Sequence, residues 1–320
     1  MNARDAAFVA ALRQRVRGQV EEDEPLARLS TYRIGGPATV LYPASPEDVA
    51  RALMLAGQER VGWFALGLGS NVLLPDEGMT ALVIRLGKGL DQLTPLEGDR
   101  WRLGAGLPQP LAARKTAAAG FAGLHRFVGV PGTVGGGISM NAGCHGGDWS
   151  LVVEAVTVLA SDGLESVLPR SAIPFGYRSS GLERRIVVET VVRLSRAEPA
   201  AIEAEMGEFF RWREAGTPFN QPCCGSVFRN PAGPSWKQGD GPRTAGQLIE
   251  AAGWKGRRAG AVEVSPRHAN YFVNTGGGTA AQVRSLIEQV RQSVGSRFGT
   301  TLELEVKIVR ADGTLENSHA

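Results

Sequence analysis

The 320-residue sequence predicts an α+β protein of more than one domain, and three observations lead there. A β-α-β pattern runs from Thr39 to Leu86, and a valine-dense, β-rich stretch runs from Trp101 to about Arg196. A mixed set of helices and strands then follows a Gly/Pro break at Ala215-Gly216-Thr217-Pro218. A chain of this length can bury two or three separate cores.

The first residues read as an Ala/Arg helix ending in the acidic run Glu21 to Glu24, expected to be a solvated lead-in over 1–28. Thr39 to Tyr42 has strand character. Ser45-Pro46-Glu47-Asp48 then supplies a cap, a first-turn proline and acidic residues for a helix that stops at Gly57. The apolar runs Gly62 to Leu66 and Ala81 to Leu86 complete the β-α-β unit. Further on, Val152 to Ala160 and Ile186 to Leu194 read as strands, with a helix from near Pro108 to Gly120 between the β runs and another at Pro199 to Glu214. The remainder predicts a helix from Thr244 to Ala252 stopped by Gly253, and strands near Val262 to Val264 and Tyr271 to Val273. A helix follows whose Val283, Leu286, Ile287, Val290 and Val294 share one face. The last strand, Leu302 to Val309, alternates Leu302, Leu304, Val306 and Ile308 against Glu303, Glu305 and Lys307.

Composition excludes several classes. With 43% hydrophobic and 21% charged residues the chain is ordinary globular protein. Its net charge of +3, without a long basic stripe, gives no footprint for nucleic acid. Three cysteines, Cys144, Cys223 and Cys224, are too few and badly spaced for a disulfide framework or a zinc site, which suits a reducing cytoplasm. The four histidines have no ligand spacing, so no metal is expected. No apolar run has membrane-spanning length and the start lacks the shape of a signal peptide, so no membrane insertion is expected.

Glycine, at 42 residues, is the compositional outlier, and two segments concentrate it. Gly129 to Gly147 is glycine-rich yet carries Val130, Pro131, Val134, Ile138 and Met140, which ask to be buried. It reads either as a phosphate- or ring-binding loop or as a tightly packed corner. Leu66-Gly67-Leu68-Gly69-Ser70-Asn71 is a tight turn after a strand. It fails as a Rossmann fingerprint, because Val72 stands where a third glycine is needed and strand-like residues follow where a helix should. A plain glycine turn with Asn favouring the left-handed region is the other reading.

These motifs, in order along nearly the whole chain, resemble the UDP-N-acetylenolpyruvoylglucosamine reductase family of peptidoglycan-precursor flavoenzymes. The resemblance rests on Thr31-Tyr32-Arg33-Ile34-Gly35-Gly36-Pro37-Ala38, Gly67 to Asn71, Gly129 to Gly147, Tyr177-Arg178-Ser179-Ser180, Cys224 to Pro231, and Leu302 to Val306. It implies two FAD-binding subdomains of the vanillyl-alcohol-oxidase (PCMH) type, 29–100 and 101–214, and a smaller α+β substrate domain, 215–312, with a tail over 313–320. It looks like the shorter type, without a tyrosine-bearing insertion over the substrate.

The family's reaction reduces the enolpyruvyl ether of UDP-N-acetylglucosamine to the lactyl ether of UDP-N-acetylmuramate, with NADPH as co-substrate and non-covalent FAD as cofactor. By resemblance, Ser226 is the proton donor, Arg178 pairs with the substrate carboxylate, and Glu305 polarises the carboxylate and enolate. Strand parity alone cannot separate Glu305 from Glu303, which shares its face. The resemblance gives Tyr32, Gly67, Gly69, Ser70, Asn71, Pro131, Gly132, Thr133, Gly135, Gly136, Ser139 and Asn141 to the cofactor, and Asn230 with Arg178 to the substrate. Other wall-synthesis enzymes are possible partners.

The chain departs from the commoner pattern at Gly137, where alanine is frequent, and at Cys144-His145, which replaces a small-aromatic pair. Cys223 and Cys224 flank the donor segment, and inert packing is their plainer reading. Two other functions fit parts of the sequence. One is an FAD oxidase of a sugar or aromatic alcohol, often with flavin attached through histidine or cysteine. The other is a flavin- or nucleotide-binding module without turnover.

Overall fold

The computed structural model describes residues 3–231 and 244–316. Among these the chain forms two compact units, and it enters the second three times. The first gathers Met1–Glu24, Ala38–Leu68 and Thr80–Trp212; the second gathers Pro25–Pro37, Gly69–Met79 and Arg213–Ala320.

In the first unit a four-stranded sheet has the order Gln19–Pro25, Pro37–Tyr42, Leu82–Arg85, Trp63–Leu66. The last three strands are parallel, as a β-α-β crossover through the helix Pro46–Glu59 requires. That helix runs two residues past Gly57 and ends where Arg60 turns left-handed at φ 55°, its N–H bonded to Ala56 and Gly57. Its buried Asp48 accepts backbone N–H bonds from Arg17, Gly18 and Ala44.

Those bonds explain a correction. The N-terminal segment is not a solvated lead-in: Phe8, Val9, Leu12 and Val20 lie in the core of the unit. The acidic run is strand Gln19–Pro25 at the sheet's edge, where Arg13 donates to the Val20 carbonyl and pairs with Glu22. Charge on an edge strand discourages pairing with another chain, so an acidic run is compatible with a structured edge.

The β-rich stretch is a five-stranded antiparallel sheet ordered Glu165–Pro169, Val153–Leu159, Ile186–Arg193, Arg100–Gly104, Leu93–Pro95. The helix Gln109–Ala118 and the short helix Val134–Ser139 belong to the same unit. The helix Pro199–Gly216 runs two residues beyond the expected end at Glu214, so the Gly/Pro break begins inside its last turn.

The second unit contains the three-stranded antiparallel sheet Arg258–Ala259, Val262–Val264, Phe272–Asn274 and the helices Ala245–Ala251 and Ala280–Phe298. Each helix opens on a capping box, Thr244 with Gln247 and Thr279 with Gln282. Val283, Leu286, Ile287, Val290 and Val294 are all buried in one core, as their spacing predicts.

The final strand is shorter than its alternation suggests. Only Lys307–Ile308 is a strand, parallel to Val72–Leu73, while Leu304 makes an isolated antiparallel bridge to Phe228. The segment changes partner between those points, since the amides of Glu305 and Val306 both reach the Val227 carbonyl before Lys307 turns to Asn71. The expected tail begins inside the fold as well. Val309 bridges Leu315, and Glu316 N–H bonds the Ile308 carbonyl; residues 317–320 lie outside the described residues.

Candidate active site

The expected site residues fall in both units, and each group has its own geometry. In the first unit, strand Trp63–Leu66 delivers Gly67 to Thr133, so closely that a Cβ on Gly67 would lie 2.5 Å from Thr133 Oγ1. Thr133 caps Val134–Ser139 by accepting the Gly136 N–H at 3.3 Å. The two glycine segments assigned to a cofactor by different parts of the sequence therefore meet.

The glycines of the second segment divide by role. Gly132 has φ 132° and its carbonyl accepts the Gln109 N–H, a conformation that only glycine takes without strain. Gly135 and Gly137 are buried packing positions, because a Cβ would strike Ala105 Cβ at 2.8 Å and Trp149 Nε1 at 2.3 Å respectively. Gly136 is exposed and has room. The packed-corner reading holds at Gly135 and Gly137, while Gly136 leaves its backbone open.

Asn141, buried at φ 45°, joins this loop to the next functional segment. Its Nδ2 donates to the Gly176 carbonyl at 3.0 Å, and its Oδ1 accepts the Ser150 N–H at 3.0 Å. Ser139 contributes its carbonyl to the buried Ser180 hydroxyl. Gly176 and Ser179 close a tight turn on each other, with Tyr177 and Arg178 at its tip. Arg178, left-handed at φ 56°, reaches the Gly143 carbonyl at 3.5 Å and lies 5.2 Å from the Tyr177 ring. A guanidinium fixed at a turn tip can present two parallel donors to a carboxylate.

His145, the departure from the commoner pattern, is packed through its ring. It stacks on Phe209 at 4.1 Å and meets Trp212 edge-on at 5.2 Å, while Arg126 donates to its carbonyl.

In the second unit, Gly69 (φ 64°) lies directly against Leu29 and Ser30, where a Cβ would be 2.5 Å from the Leu29 carbonyl oxygen. Thr31 fastens this turn: its N–H and Oγ1 both donate to the Gly69 carbonyl, and Oγ1 lies 2.7 Å from the Cys223 carbonyl. Asn71 donates to the Glu305 carbonyl at 3.1 Å. Gly225, at φ 77°, precedes Ser226, and the next residue, Val227, accepts the Glu305 N–H at 2.8 Å. Asn71, Ser226 and Glu305 are thus brought together by backbone register.

Glu303 is exposed and Glu305 is half-buried. Asn230, exposed, accepts the Ala245 N–H and so caps a helix start. Burial pushes the thiols of Cys223 and Cys224 up, so neither is a ready thiolate.

Two features were not read from the sequence. Tyr271, expected only as a strand residue, is 6% exposed and its ring meets His268 edge-on at 4.9 Å. Thr31 stands in the first motif without any sequence signal of its bonds to Gly69 and Cys223. For Thr31, neither spacing nor residue type signals contacts between segments so far apart.

The glycine segments of the first unit fit the phosphates of a flavin dinucleotide, and the second unit offers one unpaired buried hydroxyl of its own. Tyr32 is fully buried and its hydroxyl has no protein partner. A buried polar group left that way costs about 1–3 kcal/mol, which a ligand acceptor or donor would offset. The close approach of Gly67 to Thr133 and the open face of Gly136 leave backbone, not side chain, to meet phosphate. Among the described residues no group of three or more His, Cys, Asp or Glu could hold a metal ion, and no helix is long and apolar enough to cross a membrane.

Comparison with known proteins gives the class first: the FAD binding domain family matches residues 37–167, so the chain is a flavoprotein of the two-subdomain type with a further α+β domain. The UDP-N-acetylenolpyruvoylglucosamine reductase C-terminal domain family matches residues 217–309. UDP-N-acetylenolpyruvoylglucosamine reductase 2 of Symbiobacterium thermophilum is 42% identical over 91% of this chain and 92% of its own length. The Caulobacter vibrioides reductase is 39% identical over 93% and 97%. The crystal structure of the reductase from Thermus caldophilus superposes with a TM-score of 0.77 at 33% identity, covering 91% of this chain and 99% of that one. The chain belongs to the UDP-N-acetylenolpyruvoylglucosamine reductase family. These matches do not favour the oxidase alternative.

Proposed function

We propose that this protein reduces the enolpyruvyl ether of UDP-N-acetylglucosamine to the lactyl ether of UDP-N-acetylmuramate, taking electrons from NADPH. Bound FAD supplies the hydride that adds to the alkene. Gly67, Gly69, Ser70 and Asn71, with Pro131, Gly132, Thr133, Gly135 and Gly136, hold the cofactor through backbone that approaches phosphate without side chains in the way. Tyr32, Ser139 and Asn141 complete this set. The division of labour is 29–100 and 101–214 for flavin and 215–312 for substrate.

Hydride addition at the β-carbon leaves negative charge on the α-carbon and the adjoining carboxylate. Arg178 pairs with that carboxylate, and Glu305 polarises the carboxylate and the developing enolate. Ser226 then transfers its hydroxyl proton to the α-carbon. An alcohol suffices because a carbanionic centre is so basic that placement outweighs acidity. Asn230 contacts the substrate beside its helix-capping bond. A cytoplasmic setting and association with other wall-synthesis enzymes belong to the same reading.

The observation that carries the proposal is the register through Val227, which holds Glu305 beside the residue following Ser226. The test is anaerobic stopped-flow absorbance on the purified protein. NADPH should bleach the flavin and the enolpyruvyl nucleotide should restore its colour; bleaching without nucleotide-dependent recovery rejects the substrate. Acid precipitation should release all the flavin, whereas retained colour would favour the oxidase chemistry.

A further inference from the structure

We propose that His145 is a positioning residue for Arg178: its ring, packed against Phe209 and Trp212, steadies the hairpin on whose Gly143 carbonyl the guanidinium rests. The inference rests on the reading of Arg178 as the partner of the substrate carboxylate and deepens it.

The hairpin follows a tight pattern. Gly143–Cys144 pairs antiparallel with Gly147–Asp148, with Cys144 opposite Gly147, so His145 and Gly146 alone form the loop. Both have positive φ, 51° and 73°, the conformation of a two-residue type I′ turn. Such a turn favours Asn-Gly. Gly146 suits it, but a residue with a Cβ is strained at the first position, and nothing in the turn itself asks for an imidazole there.

The surroundings of the ring supply the reason. Phe209 and Trp212 stand three residues apart on helix Pro199–Gly216 and so share one face. The His145 ring stacks on Phe209 at 4.1 Å with 14° between the planes, and Trp212 meets it edge-on at 5.2 Å and 80°. Both are favoured aromatic geometries, and they tie the tip of the hairpin to a helix of five turns. Arg126 adds a second hold. It donates to the His145 carbonyl, and its stem lies against Gly147, where a Cβ would be 2.6 Å from Arg126 Cδ.

What the anchored hairpin presents is Gly143. Its carbonyl accepts Arg178 Nη1 at 3.5 Å, and a Cβ on this glycine would itself lie 3.5 Å from that nitrogen, so the guanidinium rests directly on the strand. His145 follows Gly143 by two residues. A tip free to shift therefore carries the Gly143 carbonyl with it, and misplacing a charge-pairing group by about 1 Å can cost about 100-fold in rate. The base of the hairpin is held separately, since Asp148 accepts the Ser150 hydroxyl and Asn141 accepts the Ser150 N–H. Loss of the ring thus loosens the side that meets Arg178 and leaves the Asn141 end of the glycine segment in place.

His145→Asn in the holoenzyme separates this role from the turn, because asparagine suits the turn and lacks the ring. Flavin content and bleaching by NADPH should stay at parent values, while nucleotide-dependent reoxidation slows by about 10- to 100-fold. Equilibrium binding gives the readout that a general loss of packing would not move. Affinity for UDP-N-acetylmuramate, which carries the carboxylate, should fall by about 10-fold, the scale of one charge-assisted hydrogen bond, whereas affinity for UDP-N-acetylglucosamine, which has no carboxylate, should not change. His145→Phe, which restores a ring, should recover both rate and affinity. In the double variant with Arg178→Met, reoxidation should be no slower than with Arg178→Met alone, because His145 acts through the arginine. Parent-rate reoxidation in His145→Asn, equal losses for the two nucleotides, no recovery by phenylalanine, or losses that multiply in the double variant would each overturn the proposal. Parent-rate reoxidation in Arg178→Met alone would instead remove the carboxylate assignment on which it rests. Should a His145 variant fail to fold, Trp212→Ala, at a position 63% exposed, should show the same selective loss, and its absence overturns the proposal.

Discussion

Replacing Gly137 with alanine should destabilise the first unit, although alanine is the commoner residue in the pattern this sequence resembles. The added Cβ would lie 2.3 Å from Trp149 Nε1, 2.4 Å from Gln109 Oε1 and 2.9 Å from Gln109 Cδ. Those two side chains are bonded to each other at 2.8 Å, and Trp149 is fully buried, stacked on Phe127 at 5.1 Å. The methyl group must therefore part a buried hydrogen bond. Overpacking a core costs about 1–3 kcal/mol, and leaving the two buried polar groups unpaired costs about 1–3 kcal/mol more. The expected loss is about 2–6 kcal/mol, which at its upper end matches the whole margin of a marginally stable domain. Urea unfolding followed by tryptophan fluorescence and by flavin release measures it. The cost should shrink in a Trp149→Phe background, which removes the indole nitrogen. An unchanged midpoint for Gly137→Ala would refute the packing argument, since it would mean the glycine has room.

Two further perturbations follow from the same kind of geometry. Asp76 accepts the N–H groups of Ala280 at 2.7 Å and Ala281 at 3.1 Å, at the start of helix Ala280–Phe298. Asp76→Ala should cost about 1–2 kcal/mol in chemical unfolding, and Asp76→Asn should recover part of it. His125 is buried, accepts the Gly123 N–H on Nδ1 and meets Glu205 through Nε2. Burial lowers its pKa below the ordinary 6.5, with Glu205 opposing. The unfolded chain thus binds the proton more readily, so this residue's contribution is complete above pH 6.5 and is lost as pH falls toward the folded-state value. Ring-proton NMR should show His125 titrating below 6.5, and a titration above it would contradict the assignment.

Much of the architecture was legible because it is local. The face of Val283, Leu286, Ile287, Val290 and Val294 is a period, and a period is readable without knowing what it packs against. The glycine segments were legible as sites of close approach but not by residue. Nothing local distinguishes Gly136, which has room, from Gly137, which sits on a buried pair. The acidic run at Glu21–Glu24 misled because charge reports exposure and not order; Asp48, far along the chain, fixes that segment. Segments Pro25–Pro37 and Gly69–Met79 belong to the C-terminal unit through contacts such as Asn71 Nδ2 donating to the Glu305 carbonyl. Asn274 Nδ2 donating to the Tyr32 carbonyl is another such contact, and no spacing rule encodes either. Glu305 is set apart from Glu303 by resemblance alone, because the alternation places both on one face.

The central claim is that Ser226 delivers the proton that completes reduction, and Ser226→Ala followed through both half-reactions tests it most directly. The account predicts that NADPH bleaches the variant's flavin at nearly the parent rate, while reoxidation by the enolpyruvyl nucleotide falls by orders of magnitude, because only a late proton is lost. Equal loss in the two half-reactions, or reoxidation as fast as in the parent, would contradict it.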